Sequence, residues 1–275
     1  MNFEGQTIWI TGASSGVGEG LAKVFHKEGA NIIISARRIN ELERVKASCS
    51  DGPGSVDLVP FDLVDSAARK QAAENVLSKY DRLDVLINNA GIGQRSLIQD
   101  TDLDVDRRVM EIDYFAPIAL SKLVLPRMME QKSGYMVVTS SVAGKHGIPY
   151  RSAYCAAKHA LHGYYESLRI EMLDYNIKTC LLVIAGVKSN VAVHCLTGDG
   201  TEFGKDDWQS SSGISAEECG ERVVKAMLAE EYEPVISIDA AKQAMLIKQK
   251  DPKAFTKRMA GMMRWMSDRH DALDI

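Results

Sequence analysis

The chain has 275 residues, 45% of them hydrophobic and 25% charged, which suffices to close one sizeable core without a second domain. A formal net charge of -4 excludes a general nucleic-acid binder, for which a basic surplus is needed. No apolar run reaches the ~18 residues that span a bilayer, and the first residues lack the pattern of a secretory leader, so a cytoplasmic protein is expected.

In chain order, the first strand is expected at Thr7–Thr11 and runs straight into Gly12-Ala13-Ser14-Ser15-Gly16-Val17-Gly18, with a helix near 17–29. Glycines at such a turn let the backbone amides of Gly12, Ser14, Ser15, Gly16, Val17 and Gly18 approach a pyrophosphate at the helix N-terminus, where the dipole favours negative charge. The second strand, Asn31–Ser35, ends in Ala36-Arg37-Arg38. A cofactor with a free ribose 2'-hydroxyl calls for an acidic residue there. Guanidinium groups pair with phosphate in a planar fork, so the two arginines predict NADP(H), with Arg37 on the 2'-phosphate and Arg38 beside it; the competing reading is two exposed arginines opening the next helix.

Helices near 40–49, 66–80, 104–131, 152–175 and 215–230 alternate with strands at Ser55–Pro60, Asp84–Asn88, Tyr135–Ser140, Lys178–Ile184 and Pro234–Ile238. Apolar runs rich in Ile and Val alternating with helical patterns mean βαβ units. The expected fold class is therefore α/β, three layers, with a seven-stranded parallel sheet, helices on both faces, and ligands at the carboxyl ends of the strands. Residues 1–240 form the catalytic domain in this reading. Residues 187–214, rich in Ser, Gly and Asp, read as a long mobile excursion, either a substrate lid or a solvated connection. Residues 241–275 form a basic, methionine-rich helical extension that Pro252 divides, expected to pack on the same domain rather than on a membrane surface.

The five cysteines, Cys49, Cys155, Cys180, Cys195 and Cys219, are scattered and odd in number, so reduced thiols are expected and no disulfide framework or zinc site. His159 and His162 lack a carboxylate or third ligand at metal-site spacing, and no metal is expected.

Tyr154 and Lys158 stand four residues apart in Ser-Ala-Tyr-Cys-Ala-Ala-Lys, and Ser141 lies upstream. On a helix that spacing puts phenol and ammonium on one face. A free tyrosine titrates near ~10, and a nearby ammonium favours its phenolate, making it fit to move a proton.

These residues together resemble the short-chain dehydrogenase/reductase family, over 1 to about 240: T-G-A-S-S-G-V-G at 11–18, Asp62 after the third strand, N-N-A-G at 88–91, Ser140-Ser141, and Y-x-x-x-K at 154–158. The resemblance implies a Rossmann-like sheet in the order 3-2-1-4-5-6-7 and hydride transfer between a nicotinamide cofactor and a small carbonyl or alcohol substrate. It implies that Asp62 and Leu63 touch the adenine, that Asn88, Ala90 and Gly91 line the cofactor ribose, and that Gly186, Val187 and Ser189 lie near the nicotinamide amide. Ser141 would bind the substrate oxygen, Tyr154 exchange its proton, and Lys158 lower the tyrosine pKa and hold the ribose hydroxyls. A homodimer or homotetramer is implied as well.

Two departures matter. Ala185-Gly186 replaces the family's usual Pro-Gly, which loosens that loop. Asp113 occupies the place of the Asn that completes the catalytic tetrad and usually holds a water on the lysine. An ionised carboxylate there counteracts Lys158, so a slower enzyme or an alkaline pH optimum is expected. The resemblance places the substrate among Ile92, Leu97, Val142, His146, Ile148, Val191 and Leu196, an apolar cleft with few charges, His146 facing solvent at its rim. The alternative to an active oxidoreductase is a cofactor-binding sensor or scaffold with residual turnover.

Overall fold

A computed structural model of the chain describes residues 2–50, 52–205, 213–237 and 239–268. Its strands are β1 Thr7–Thr11, β2 Asn31–Ser35, β3 Val56–Leu58, β4 Val85–Asn88, β5 Gly134–Ser141, β6 Ile177–Ala185 and β7 Val235–Ser237. They form one parallel sheet in the order β3-β2-β1-β4-β5-β6-β7. The sheet is covered on both faces, which is why its strands are apolar without a polar side: β1 reads Thr-Ile-Trp-Ile-Thr and every residue is buried.

The alternation of side chains along each strand sorts the core into two halves. Ile8, Ile10, Ile32, Ile34, Val137 and Leu182 point to one face and meet Leu21, Phe25, Leu42 and Met227. These come from helices α1 (Gly16–Lys27), α2 (Ile39–Ala47) and α7 (Ala216–Leu228). Trp9, Ile33, Leu86, Met136 and Leu181 point to the other face and meet Val76, Val124, Leu161 and Tyr165. Those four belong to α3 (Ser66–Lys79), α5 (Ala116–Gln131) and α6 (Ser152–Glu171). Local chemistry starts the helices: Asp65 accepts from the amides of Ala67 and Ala68 ahead of α3, and Ser215 accepts from Glu218 N ahead of α7.

The expected elements are present with shifted ends. β3 keeps only three residues, α6 stops at Glu171 before a short turn at Leu173–Tyr175, and Ile238, the expected end of β7, lies outside the described residues. The expected helix over 104–131 is α4 (Leu103–Met110) and α5, joined by one π-helical turn at Glu111–Phe115. Pro252 divides the extension as expected, into α8 (Asp239–Lys250) and α9 (Pro252–Asp268). Ala244 and Phe255 are buried against the domain, while Lys253, Lys257 and Arg258 are exposed. Among the described residues no helix is long and apolar enough to cross a membrane.

The described part of the excursion carries local hydrogen-bonded structure that its composition did not announce. Leu196 bridges Gln94 on one side and Glu202 on the other, and a turn built on Asp199 accepts from Thr197 and Thr201. Polar residues here close local hydrogen bonds and fold the segment back on the chain after β4. Residues 206–212, which include Ser210 and its neighbours, lie outside the described residues.

Trp9 is fully buried at the centre of the sheet, donating from Nε1 to Ser35 Oγ at 2.9 Å and packing near Phe61. Trp9→Ala is expected to cost about 3–5 kcal/mol of unfolding free energy, read from urea denaturation with the slope unchanged.

Candidate active site

All seven strands run the same way, so their carboxyl ends gather at one edge and open a cleft of about 990 Å³. At one end the turn after β1 delivers Ser14, Ser15, Gly16 and Val17 to the N-terminus of α1. Gly12 and Gly16 have φ of +66° and +55°, and a Cβ on Gly12 would stand 2.7 Å from the Cα of Ala90. Only glycine leaves this cradle open for a phosphate group. Arg44 stiffens it from outside, donating to the Ser14 carbonyl at 3.1 Å while paired with Glu19 at 2.8 Å, a contribution that no motif announced.

Further along the wall come Arg37 and Arg38, both exposed, their guanidinium groups without a hydrogen-bond or ion-pair partner among the described residues. Asp62 and Leu63 line the same wall, Asp62 accepting from Val64 N at 3.1 Å. Ala90, Gly91, Gly186, Val187 and Ser189 line the far end. A glycine cradle, a helix N-terminus and a long cleft fit a dinucleotide.

Two of the expected cofactor contacts fall elsewhere. Asn88 is buried on the helix side of the sheet, where its Nδ2 donates to Ser121 Oγ and Tyr165 OH at 2.9 and 3.0 Å; as the last residue of β4 it points away from the cleft. Its neighbour Asn89 faces the cleft instead, donating to the Thr11 and Gly12 carbonyls and accepting from Thr139 Oγ1. Gly18 is buried and packs α1 against the Gly12 carbonyl, so it allows the close approach without lining the cleft.

At the reaction end α6 presents Tyr154 and Lys158 on one face, and Ser141 ends β5 beside them. Ser141 favours the ionised form of the Tyr154 phenol, and its Oγ accepts from Ala143 N at 3.2 Å. Lys158 Nζ stands 5.4 Å from the centre of the Tyr154 ring and donates to the Thr139 carbonyl at 3.0 Å.

Asp113 completes the group from the π-helical turn, a widened turn that re-aims a side chain from an otherwise regular helix. Where the usual Asn would leave room for a water on the lysine, Asp113 Oδ2 lies 3.2 Å from Lys158 Nζ, and Oδ1 accepts from Ile92 N at 2.7 Å. Both side chains are almost wholly buried. Burial by itself would lower the Lys158 pKa, but Asp113 beside it carries it above the ordinary lysine range. Burial pushes the Asp113 carboxyl up against the pull of Lys158. Tyr154 is also raised, by burial first; Lys158 and Ser141 pull it down and Asp113 pushes it up. The opposition between Asp113 and Lys158 expected from the sequence is thus a direct contact.

Of the residues expected around a substrate, Ile92, Val142, Ile148, Val191 and Leu196 line the cleft, whereas Leu97 and His146 do not. His146 is no rim residue: it is 3% exposed, with its ring 5.0 Å from that of Phe255, because α9 covers it. The expectation of few charges also needs correcting, since Arg107, Arg108, Glu111, Arg151, His194 and Glu202 line the same cleft. They come from three separate segments, so spacing could not place them together.

Comparison with known proteins agrees with this geometry. The sequence pattern described as short chain dehydrogenase matches residues 6–197. The chain belongs to the short-chain dehydrogenase/reductase family. It is 40% identical over 261 residues to "Dehydrogenase/reductase SDR family member 7B" of Mus musculus, covering 94% of this chain and 81% of that one. Among solved structures, a short chain dehydrogenase/reductase from Burkholderia phymatum in complex with NAD is similar, with TM-score 0.81, 20% identity, and coverage of 92% of this chain and 96% of that one. An alcohol dehydrogenase from Thermococcus sibiricus complexed with 5-hydroxy-NADP has TM-score 0.73 and 20% identity, covering 85% of this chain and 97% of that one. The fold is thus the Rossmann-like one of this oxidoreductase family, whose members act on small molecules with a nicotinamide cofactor.

Asp113→Asn keeps an acceptor for Ile92 N and removes the charge that raises Tyr154. The phenol should then ionise at lower pH, and the pH profile of kcat/KM should move towards acid, as followed by cofactor absorbance across pH.

Proposed function

We propose that the chain is an NADPH-dependent oxidoreductase acting on a carbonyl compound or secondary alcohol. The observation that carries this reading is the meeting of Ser141, Tyr154 and Lys158 at the end of a dinucleotide-shaped cleft whose other end holds two unpaired arginines. A bound nicotinamide would supply or accept the hydride. Ser141 would hold the substrate oxygen by hydrogen bonding, and Tyr154 would give it a proton on reduction or take one on oxidation. Lys158 favours the phenolate and faces the space for a ribose, anchored from behind by Thr139 and Asp113.

The preference for NADP(H) rests on Arg37, with Arg38 beside it. The two fold neighbours are bound to NAD and to an NADP derivative respectively, so the fold itself is neutral on this point. Asp62 and Leu63 would bound the adenine, and Gly186, Val187 and Ser189 the nicotinamide amide. The exposed side chains of Phe115, Ile170 and Leu173 support association into a homodimer or homotetramer. One observation favours a second reading, a cofactor-binding sensor of low turnover: the direct Asp113–Lys158 contact opposes phenol ionisation.

An assay of NADPH oxidation against aldehydes, ketones and quinones separates the two. Turnover that Tyr154→Phe lowers by about a hundredfold or more supports the oxidoreductase; tight NADPH binding without turnover at any pH supports the sensor. Arg37→Asp is expected to raise KM for NADPH roughly tenfold or more while sparing NADH, and an unchanged cofactor preference would remove Arg37 from the phosphate site.

A further inference from the structure

Tyr154, Lys158 and His162 follow one another at intervals of four on α6, and the third plays no part in the chemistry above. His162 is 7% exposed. Its Nε2 lies 2.9 Å from Ser140 Oγ, and its Nδ1 lies 3.0 Å from Glu233 Oε1. The other oxygen of Glu233 accepts from Lys145 Nζ at 2.5 Å.

The protons in this chain can be assigned. Burial raises the Glu233 carboxyl, but hydrogen bonds from Lys145 and His162 outweigh it and hold the group below its ordinary range, so Glu233 is a carboxylate that only accepts. Burial lowers the His162 pKa, opposed by Glu233, and the ring is neutral at pH 7. Its single proton therefore sits on Nδ1 and points to Glu233, which leaves Nε2 to accept the Ser140 hydroxyl.

Serine, histidine and glutamate in this order are the arrangement that activates a nucleophile. Here the serine is sealed: it is 1% exposed, and a Cβ on Gly144 would stand 2.6 Å from its Oγ and 2.7 Å from His162 Nε2. A metal site is no better, although Glu166 joins His162 and Glu233 with ligand-type atoms within 4.8 Å, because the Lys145 ammonium already neutralises Glu233.

What the chain does hold is the backbone on both sides of Ser141. Ser140 precedes it and Lys145 follows it, and both end on the same His162–Glu233 pair. The clamp extends outwards through Lys248 Nζ, which donates to the Lys145 carbonyl at 2.5 Å from α8. We infer that His162 is a positioning residue for Ser141, clamping Ser140 and, through Glu233, Lys145 to the helix that carries Tyr154, so that the two hydroxyls share one rigid frame.

The inference deepens the oxidoreductase reading, yet it can be tested without turnover. Ser141 lowers the Tyr154 pKa, while the other groups facing the phenol, Lys158, Asp113 and Arg151, make no hydrogen bond to His162. With 13Cζ-labelled tyrosine, and the Tyr154 signal assigned through Tyr154→Phe, His162→Leu should move the titration of Tyr154 to higher pH. His162→Gln, whose amide NH2 can donate to Glu233 while its carbonyl accepts from Ser140, should bring it back. In the turnover assay His162→Leu and Ser140→Ala should each lower kcat roughly tenfold, the double variant no further, with NADPH affinity unchanged. A Tyr154 titration unmoved in His162→Leu overturns the inference, as do independent, additive losses or a loss of NADPH affinity in step with kcat. A wild-type chain without turnover sinks the oxidoreductase reading alone, since the tyrosine titration still decides this one.

Discussion

The site is organised around one buried positive charge. The Lys158 side chain is only 4% exposed, and an ammonium that deep is tolerated only when its hydrogens and its charge are both answered. The answers come from different parts of the chain: the Thr139 carbonyl in β5, and Asp113 in the π-helical turn between α4 and α5. Asp113 in turn accepts from Ile92 N, which fastens the segment after β4 to the same point. Satisfying one ammonium thus draws three segments to the helix that carries Tyr154.

The same charge is contested. A lysine beside a phenol lowers the phenol's pKa, and a carboxylate on the far side of that lysine offsets part of the effect. In this chain Asp113 both raises the lysine pKa and pushes the phenol up. The pairing makes Lys158 a firmer structural anchor and a weaker promoter of phenolate, two consequences of one 3.2 Å contact. The acidity of the phenol is accordingly set by burial and by the balance among Lys158, Asp113 and Ser141 around it.

Much of this was readable from residue order. The seven strands and their alternation with helices followed from apolar period and length, because a parallel sheet buried on both faces leaves a strong signature in β1, β2 and β6. The glycine turn and the shared helix face of Tyr154 and Lys158 were legible because each is a local spacing with a local cause. Asn88 was misplaced because the motif holds two asparagines, and only the pleat of β4 decides that Asn89 faces the cleft. His146 was misplaced because its cover, Phe255, lies in the extension, more than a hundred residues along the chain. The charged residues around the substrate end were missed for the same reason.

By itself the sequence determined the sheet, the glycine-rich turn after the first strand and the spacing that puts phenol and ammonium on one helix face, since period, turn chemistry and helical pitch act within a few residues. Only the tertiary structure decided that Asp113 touches Lys158 directly, that Asn89 rather than Asn88 lines the cleft, and that His162 and Glu233 hold the two ends of the Ser141 segment. Those contacts join residues tens of positions apart, and their geometry depends on how a π-helical turn, a strand end and a covering helix settle against one another.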